Sequence, residues 1–195
     1  MKIGLYFGSF NPIHHGHLII ASHIQQFTDL DRIWFVVSPK NPLKPSEGLL
    51  NEYHRLYLLQ ISIEGESELK VSDIEFKLPK PSYTSDTLAY LREKHPETEF
   101  ALIMGSDSFQ NLPKWKNYQY ILGSYPIYIF KRPGYTKLPE YEGARVIIVE
   151  APLIPISATH IRKLIREGKS IRYLVTEAAR AEIERNGYYR KKKSP

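Results

Sequence analysis

The sequence contains no cysteine, and this absence excludes several kinds of site at once. Disulfide bonds, thiolate nucleophiles and cysteine-based zinc sites all need a residue type that the chain lacks. No apolar run approaches the roughly 18 residues of a membrane-spanning helix, and the first apolar stretch after Lys2 is already interrupted at Gly8 and Ser9. We therefore expect no secretory signal, no membrane partner and a cytoplasmic location.

The positive charge of the chain is concentrated at its carboxyl end. The net charge is +6 over 195 residues, and residues 188–195 supply one arginine and three lysines without any acidic residue. Residues 1–187 therefore carry only +2. A nucleic-acid-binding domain usually spreads basic side chains over a folded face. We predict a single domain over residues 1–187, a basic tail over residues 188–195, and no nucleic-acid partner.

Short β-rich segments alternate with longer amphipathic segments along the chain. The pattern predicts strands at residues 3–7, 33–37, 69–76, 100–104, 127–130 and 146–149, and helices at residues 17–27, 52–63, 85–94, 108–122, 158–167 and 175–186. Several of these strands are apolar on both faces, as in a parallel sheet that helices cover on both sides. The alternation predicts an α/β fold with a doubly wound parallel sheet. In such folds ligands bind beyond the carboxyl ends of the strands.

The loop after the first predicted strand is rich in small residues and imidazoles and reads GSFNPIHHGH from Gly8. Gly8 and Ser9 allow the backbone to turn sharply and to approach a ligand. His14 and His17 are three residues apart and share one side of a helical turn, while Gly16 leaves space between them. Neither a Walker loop nor a dinucleotide fingerprint is present. The loop favours a phosphate site at a helix start; a metal site and a ligand-free exposed helix start remain open alternatives.

A second candidate anion site lies near the other end of the chain, in the sequence PISATHIR. Ser157 is a favourable N-cap for the predicted helix. Thr159 adds a second hydroxyl, and Arg162 adds a charge that can bind phosphate oxygens. An ordinary capped surface helix would have much the same sequence, so the segment alone leaves both interpretations open.

Three segments in the middle of the chain carry further candidate residues. In PSYTSDT, Thr84 or Ser85 is a candidate cap for the next helix, and the segment is also a candidate for contact with a second substrate. Gly105 and Asp107 directly follow a predicted strand, where they suit a ribose or adenosine contact or merely cap a helix. Trp115 lies between two lysines in LPKWK, so it either stacks on an aromatic ligand or packs half-buried against the core.

These motifs together resemble the (H/T)xGH nucleotidyltransferase superfamily. The first loop matches its GxFxPxH and (H/T)xGH signature, and ISATHIR is similar to its ISSTxIR motif, with Ala158 in place of the second serine. The segments PSYTSDT, GSD, KRPG and IRYLV resemble the nicotinate-nucleotide adenylyltransferases in particular. The resemblance spans nearly the whole chain and implies a Rossmann-like nucleotidyltransferase fold.

The resemblance implies that the adenylyl group of ATP is transferred to nicotinate mononucleotide. The products are nicotinate adenine dinucleotide and pyrophosphate, a step toward NAD. Mg²⁺ is expected to arrive with ATP, without a metal site formed by protein side chains. The alternatives are an enzyme that uses nicotinamide mononucleotide or phosphopantetheine as acceptor, and a non-catalytic nucleotide sensor.

The resemblance also assigns roles to individual residues. The expected catalytic residues are His14, His17 and Arg162. The expected ATP-binding residues are Gly8, Ser9, Phe10, His14, Gly16, His17, Gly105, Asp107, Ser157, Thr159 and Arg162. The expected acceptor-binding residues are Asn11, Lys44, Tyr83, Thr84, Trp115 and Arg132. The sequence departs from the family pattern at Leu43, where a histidine is usual, and at Thr176, where a proline is frequent.

Overall fold

The computed structural model describes residues 1–40, 48–135 and 137–190. Within these ranges the strands are β1 (Lys2–Gly8), β2 (Arg32–Val37), β3 (Leu69–Ser72), β4 (Glu99–Gly105), β5 (Ile127–Phe130) and β6 (Val146–Val149). The helices are α1 (His15–Phe27), α2 (Glu52–Ser62), α3 (Thr84–Lys94), α4 (Ser106–Gln110), α5 (Tyr118–Ser124), α6 (Ala158–Arg166) and α7 (Glu177–Asn186). Two short 3-10 segments, Ile74–Phe76 and Leu112–Lys114, lie between them.

The described strands form one parallel sheet in the order β3-β2-β1-β4-β5-β6. The chain runs outward from β1 to β3 and then returns to place β4 on the other side of β1. The carboxyl ends of β1 and β4 therefore lie at the topological switch point, where open α/β sheets bind their ligands. The predicted doubly wound α/β fold is confirmed.

The four inner strands β2, β1, β4 and β5 are buried on both faces, whereas most of the edge strand β6 is exposed. Tyr6 and Phe35 belong to the apolar layer on one face, whereas Leu5 and Val36 belong to the layer on the other. Because successive side chains of a strand point to opposite faces, a sheet covered on both sides needs apolar residues at nearly every position. This requirement explains the uninterrupted apolar runs of the inner strands, but not that of the exposed edge strand β6.

Two predicted elements were wrong in their extent. The predicted strand 69–76 ends at Ser72, whose hydroxyl accepts a hydrogen bond from the Ile74 N–H at 3.4 Å, and a 3-10 turn follows. Such local side-chain bonds compete with the strand ladder. The predicted helix 108–122 is divided into α4, a 3-10 turn and α5. Pro113 lies at the start of that turn and Asn117 has a left-handed φ of 54°, so the helical hydrogen-bond pattern cannot continue.

The folded part of the chain extends past the predicted domain end at residue 187. Tyr188 and Tyr189 pack against the core, and the Tyr188 hydroxyl lies 2.9 Å from Nδ1 of His54 on α2. The tail residues 191–195 lie outside the described residues. No helix within the described ranges is both long and apolar enough to cross a bilayer.

Candidate active site

A cavity of about 750 Å³ opens at the carboxyl ends of β1, β4 and β5. Its walls come from the loop after β1, the start of α4 and the start of α6. Two further segments contribute to it, Ser82 to Thr84 at the start of α3 and Lys114 to Lys116 before α5, together with Ser38, Lys40 and Glu75. The topology therefore gathers segments that are up to about 150 residues apart in sequence into one cleft, in agreement with the general rule for such sheets.

The buried side chain of Phe10 holds the first loop against the core. Its backbone has a left-handed φ of 44°, and its buried ring makes edge contacts with Tyr6 and His17 at centroid distances of 5.7 and 5.1 Å. A Cβ atom at Gly8 would lie 2.8 Å from the Phe10 ring. Only glycine fits there without displacing the ring, so Gly8 and Phe10 together fix the shape of the loop.

The two signature histidines stack on each other at the start of α1. Their ring centroids are 3.7 Å apart, and His14 is only 5% exposed. Burial, together with the positive charges of Arg132 and His15, lowers the pKa of His14 to about 4. His14 is therefore neutral at physiological pH and can offer one N–H to a phosphate oxygen. A Cβ at Gly16 would come within 3.0 Å of the His14 ring, which explains the glycine between them.

The metal alternative for the histidine loop depends on which other ligating side chains lie near it. Within residues 1–40, 48–135 and 137–190, no three His, Asp or Glu side chains converge in a way that could hold a metal ion. Protein-held zinc sites usually need three or four such ligands.

The start of α6 faces the histidines across the cleft. Ser157 caps the helix by accepting a hydrogen bond from the His160 N–H at 3.2 Å, and both Ser157 and Thr159 line the cavity. Arg162 donates to the backbone carbonyl of Asn11 at 2.7 Å and to Oγ1 of Thr159 at 3.2 Å. The arginine is half-buried between the two signature motifs and ties the first loop to α6.

The end of β4 presents a second polar wall. Asp107 and Arg132 form an ion pair with 3.5 Å between Oδ1 and Nε, and their side chains cross directly over Gly105. A Cβ at Gly105 would collide with both of them. The structure thus places Arg132 beside the predicted ATP residues Gly105 and Asp107.

The remaining predicted acceptor residues separate into two groups. Tyr83, Thr84 and Trp115 line one end of the cleft, where Lys116 lies 4.8 Å from the Tyr83 ring centroid. Trp115 is half-buried and packs against the apolar layer beneath it. Lys114 lines the same end, and Lys116 is also paired with Asp86 at 2.9 Å, so this end of the cleft combines aromatic rings with two lysines, one of them in an ion pair.

Asn11 and Lys44 do not join that group. The Asn11 side chain donates to the Gly48 carbonyl at 3.0 Å and accepts from the Leu50 N–H at 3.1 Å. Its amide therefore holds a neighbouring segment in place, although Asn11 also borders the cavity. Lys44 lies outside the described residues.

Sequence reasoning missed a buried cation beside the cleft. Arg55 of α2 is completely buried and donates to four backbone carbonyls, those of Ser9, Ser38, Pro39 and Leu50, at 2.5 to 2.8 Å. It connects the loops that follow β1 and β2. A lone arginine in an amphipathic helix gives no sequence signal for such a role, because its partners are backbone atoms.

A buried anion in the cleft wall was missed as well. Glu75 is 2% exposed and accepts hydrogen bonds from the Ser82 and Thr87 hydroxyls at 2.9 and 3.1 Å. Burial raises the pKa of Glu75, while hydrogen bonds from Ser38, Ser82 and Thr87 oppose that rise. The sequence pattern assigned this residue to a strand and gave no indication of its burial.

Comparison with known proteins identifies relatives over nearly the full length of the chain. The cytidylyltransferase-like family model matches residues 5–164. A probable nicotinate-nucleotide adenylyltransferase of Flavobacterium johnsoniae is 47% identical, over 98% of this chain and 100% of that protein. A probable nicotinate-nucleotide adenylyltransferase of Cytophaga hutchinsonii is 48% identical, over 97% of this chain and 98% of that protein.

Solved structures share the fold at lower sequence identity. The nicotinic acid mononucleotide adenylyltransferase of Plasmodium falciparum, complexed with NaAD, superposes with a TM-score of 0.80 at 20% identity, covering 96% of this chain and 97% of that one. A putative nicotinate-nucleotide adenylyltransferase of Vibrio parahaemolyticus gives a TM-score of 0.71 at 21% identity, covering 98% and 96%. These matches agree with a Rossmann-like nucleotidyltransferase fold.

Proposed function

Since this chain belongs to the cytidylyltransferase-like family and, within it, to the nicotinate-nucleotide adenylyltransferases, we propose that it transfers the adenylyl group of ATP to nicotinate mononucleotide. The products are nicotinate adenine dinucleotide and pyrophosphate, and the reaction is a step of NAD biosynthesis. One observation supports this function above all: a single cleft joins two phosphate-type sites to an aromatic, basic end. ATP and a mononucleotide can lie in that cleft side by side.

The reaction requires alignment of the two substrates more than activation of a nucleophile. The attacking oxygen of the mononucleotide phosphate is already anionic, so no protein nucleophile or strong base is needed. The protein must bring this oxygen into line with the α-phosphorus and stabilise the charge that develops on the transferred group and on pyrophosphate. Neutral, preorganised donors such as His14 suit that task because they need not reorganise during the step.

The ATP end of the cleft is assigned to the two signature motifs. His14 and His17 would donate to the α- and β-phosphates, and the hydroxyls of Ser157 and Thr159 would bind the distal phosphates. Arg162 would contribute positive charge while holding the Asn11 carbonyl, so its catalytic role includes fixing the first loop. The remaining proposed ATP contacts are the small or buried residues Gly8, Ser9, Phe10 and Gly16, with Gly105 and Asp107 facing the adenosine.

The acceptor end is assigned to the aromatic wall. Trp115 would stack on the pyridine ring, with Tyr83 and Thr84 beside it. Arg132 would reach toward the acceptor from its position beside Asp107, and Lys44 and Asn11 complete the proposed set. A pyridine carboxylate is an anion, and Lys114 and Lys116 line this end of the cleft, although the charge of Lys116 is offset by its ion pair with Asp86 at 2.9 Å.

Mg²⁺ enters this proposal as part of the MgATP substrate. The donors that line the cleft include imidazoles, hydroxyls and two carboxylates: Asp107 is paired with Arg132, and Glu75 accepts hydrogen bonds from Ser82 and Thr87. Such a set fits a cation held chiefly by phosphate oxygens and water, which is the usual situation for magnesium. The proposal also includes a cytoplasmic location and a single domain with a basic tail that takes no part in catalysis.

The direct test is pyrophosphate release from MgATP with each of three acceptors offered separately: nicotinate mononucleotide, nicotinamide mononucleotide and phosphopantetheine. We expect the highest kcat/KM with nicotinate mononucleotide. Turnover with phosphopantetheine alone would contradict the proposed acceptor. ATP binding without turnover on any acceptor would instead identify a nucleotide sensor.

A further inference from the structure

The least expected group in the cleft wall is the carboxylate of Glu75. It lies in the 3-10 turn after β3 and borders the cavity together with Ser82, Tyr83 and Thr84. A buried carboxylate is costly unless hydrogen bonds satisfy it. In this cleft it also sits near the end that we assign to an anionic substrate, where a bare negative charge would oppose binding.

The hydrogen bonds of Glu75 reach residues on both sides of Tyr83 and Thr84, which we call the acceptor segment because they carry proposed acceptor contacts. Its Oε2 accepts from Ser82 at 2.9 Å, and its Oε1 accepts from Thr87 at 3.1 Å. Ser82 directly precedes Tyr83 and Thr84, and Thr87 lies in the first turn of α3 directly after them. The Thr87 hydroxyl also lies 3.2 Å from the backbone carbonyl of Tyr83. One carboxylate therefore fastens both ends of the short segment that carries the proposed acceptor contacts.

The same carboxylate reaches a third part of the cleft. Ser38, which follows β2, is hydrogen-bonded to Glu75 as well. The Ser38 backbone N–H donates to the Gly8 carbonyl at 2.9 Å, and its carbonyl accepts from Arg55. Glu75 thus links the acceptor segment to the framework that holds the first loop.

We propose that Glu75 is a positioning residue that fixes Tyr83 and Thr84 in the geometry needed to bind the acceptor mononucleotide. Its oxygens are occupied by hydroxyl donors, so it acts through these neighbours and not by touching the substrate. The inference rests on the proposed function, because it takes the Tyr83 end of the cleft as the acceptor end.

The central experiment compares Glu75→Ala with Glu75→Gln. For each variant and the unmodified enzyme, kcat, the two KM values and the melting temperature are measured. Alanine removes every bond to the segment, so we expect the KM for nicotinate mononucleotide to rise about tenfold or more, with the KM for ATP changed by less than about twofold. Glutamine keeps the shape and can still bond both hydroxyls, so we expect it to restore the acceptor KM to within about threefold.

Two smaller changes keep the test decisive if the alanine variant does not fold. Ser82→Ala and Thr87→Val each remove one hydroxyl bond to Glu75, and we expect each to raise the acceptor KM alone by about threefold. Ser62→Ala is the matched control. It removes a partly buried hydroxyl that bonds the Leu58 carbonyl within α2 and lies 3.0 Å from the Thr176 hydroxyl, and this serine does not line the cleft. We expect it to leave both KM values unchanged.

Three outcomes would overturn the inference. The first is an unchanged acceptor KM in the alanine variant, and the second is a parallel rise of both KM values with a lower melting temperature, which indicates a purely structural role. The third is a selective rise in the KM for ATP, which would assign the Tyr83 end to ATP. Failure of the proposed function is distinguishable from all three, because it would show as absent turnover with nicotinate mononucleotide in the unmodified enzyme.

Discussion

His17 is the residue whose removal tests the reaction most directly. Its ring stacks on His14 and borders the cleft. Loss of one preorganised donor to a developing charge typically costs about 2.7–4 kcal/mol of barrier, so His17→Ala should lower kcat at saturating substrate by a factor on the order of a hundred or more. His15→Ala is the control, since the His15 side chain is not among the residues lining the cavity. Near-full turnover of the His17 variant would remove it from the catalytic assignment.

Titration of His14 should contribute to the pH dependence of the free energy of unfolding. Its folded-state pKa is about 4 against an ordinary value of 6.5, because burial disfavours the charged ring. Between these two values the unfolded chain binds the proton more readily than the folded one, so the free energy of unfolding falls as the pH falls from 6.5 toward 4. Above that window the residue contributes no pH dependence.

Denaturant unfolding of the unmodified protein and of His14→Gln, measured between about pH 7 and about pH 4.5, checks this expectation. Glutamine does not titrate, so the variant should lose less stability over the same interval. Equal losses in the two proteins would show that His14 does not take up a proton on unfolding.

At the scale of elements, the first turn of α1 is shaped by Gly16. Replacing a helical glycine by alanine usually stabilises a helix by up to about 1 kcal/mol. Here the added Cβ would meet the His14 ring at 3.0 Å, and His14 cannot retreat freely because it is stacked on His17. Gly16→Ala should therefore lower kcat strongly while the melting temperature changes little. A fully active variant would show that the ring position does not matter for catalysis.

The 3-10 turn between α4 and α5 presents Trp115 to the cleft. The ring is half-buried, so it serves packing as well as the proposed stacking. Stacking contributes about 0.5–1.5 kcal/mol beyond burial, so Trp115→Ala should raise the KM for nicotinate mononucleotide about tenfold. The KM for ATP should hardly move, and the melting temperature should fall only slightly. A large loss of stability with an unchanged acceptor KM would assign the residue to the core.

At the scale of the whole molecule, two truncations locate the end of the folded unit. Ending the chain after Arg190 removes three lysines and should leave both the melting temperature and adenylyl transfer unchanged. Ending it after Gly187 also removes Tyr188 and Tyr189, which pack against the core. That chain should melt several degrees lower, because burial of a large side chain contributes about 1.5–3 kcal/mol. Loss of activity in the first truncation would reveal an essential role for the basic tail.

The sequence by itself determined the class of fold and the two signature motifs. Strands that are apolar at nearly every position are typical of a parallel sheet covered on both faces, with the exposed edge strand β6 as the exception here. The polar motifs directly after such strands therefore belong at the strand ends. Local chemistry sufficed here because both signals depend on neighbouring residues. The capping role of Ser157, predicted from its residue type and place, is confirmed for the same reason.

Only the tertiary structure decided how distant residues meet. Arg55 donates hydrogen bonds to backbone carbonyls of three separate segments, and Glu75 accepts hydrogen bonds from the Ser82 and Thr87 hydroxyls. No local sequence pattern predicts either set of partners. Thr176, where a proline is frequent, caps α7 and bonds Ser62 of α2. The physical reason is the same throughout: the free energy of a buried polar group depends on the partners that the whole fold brings to it.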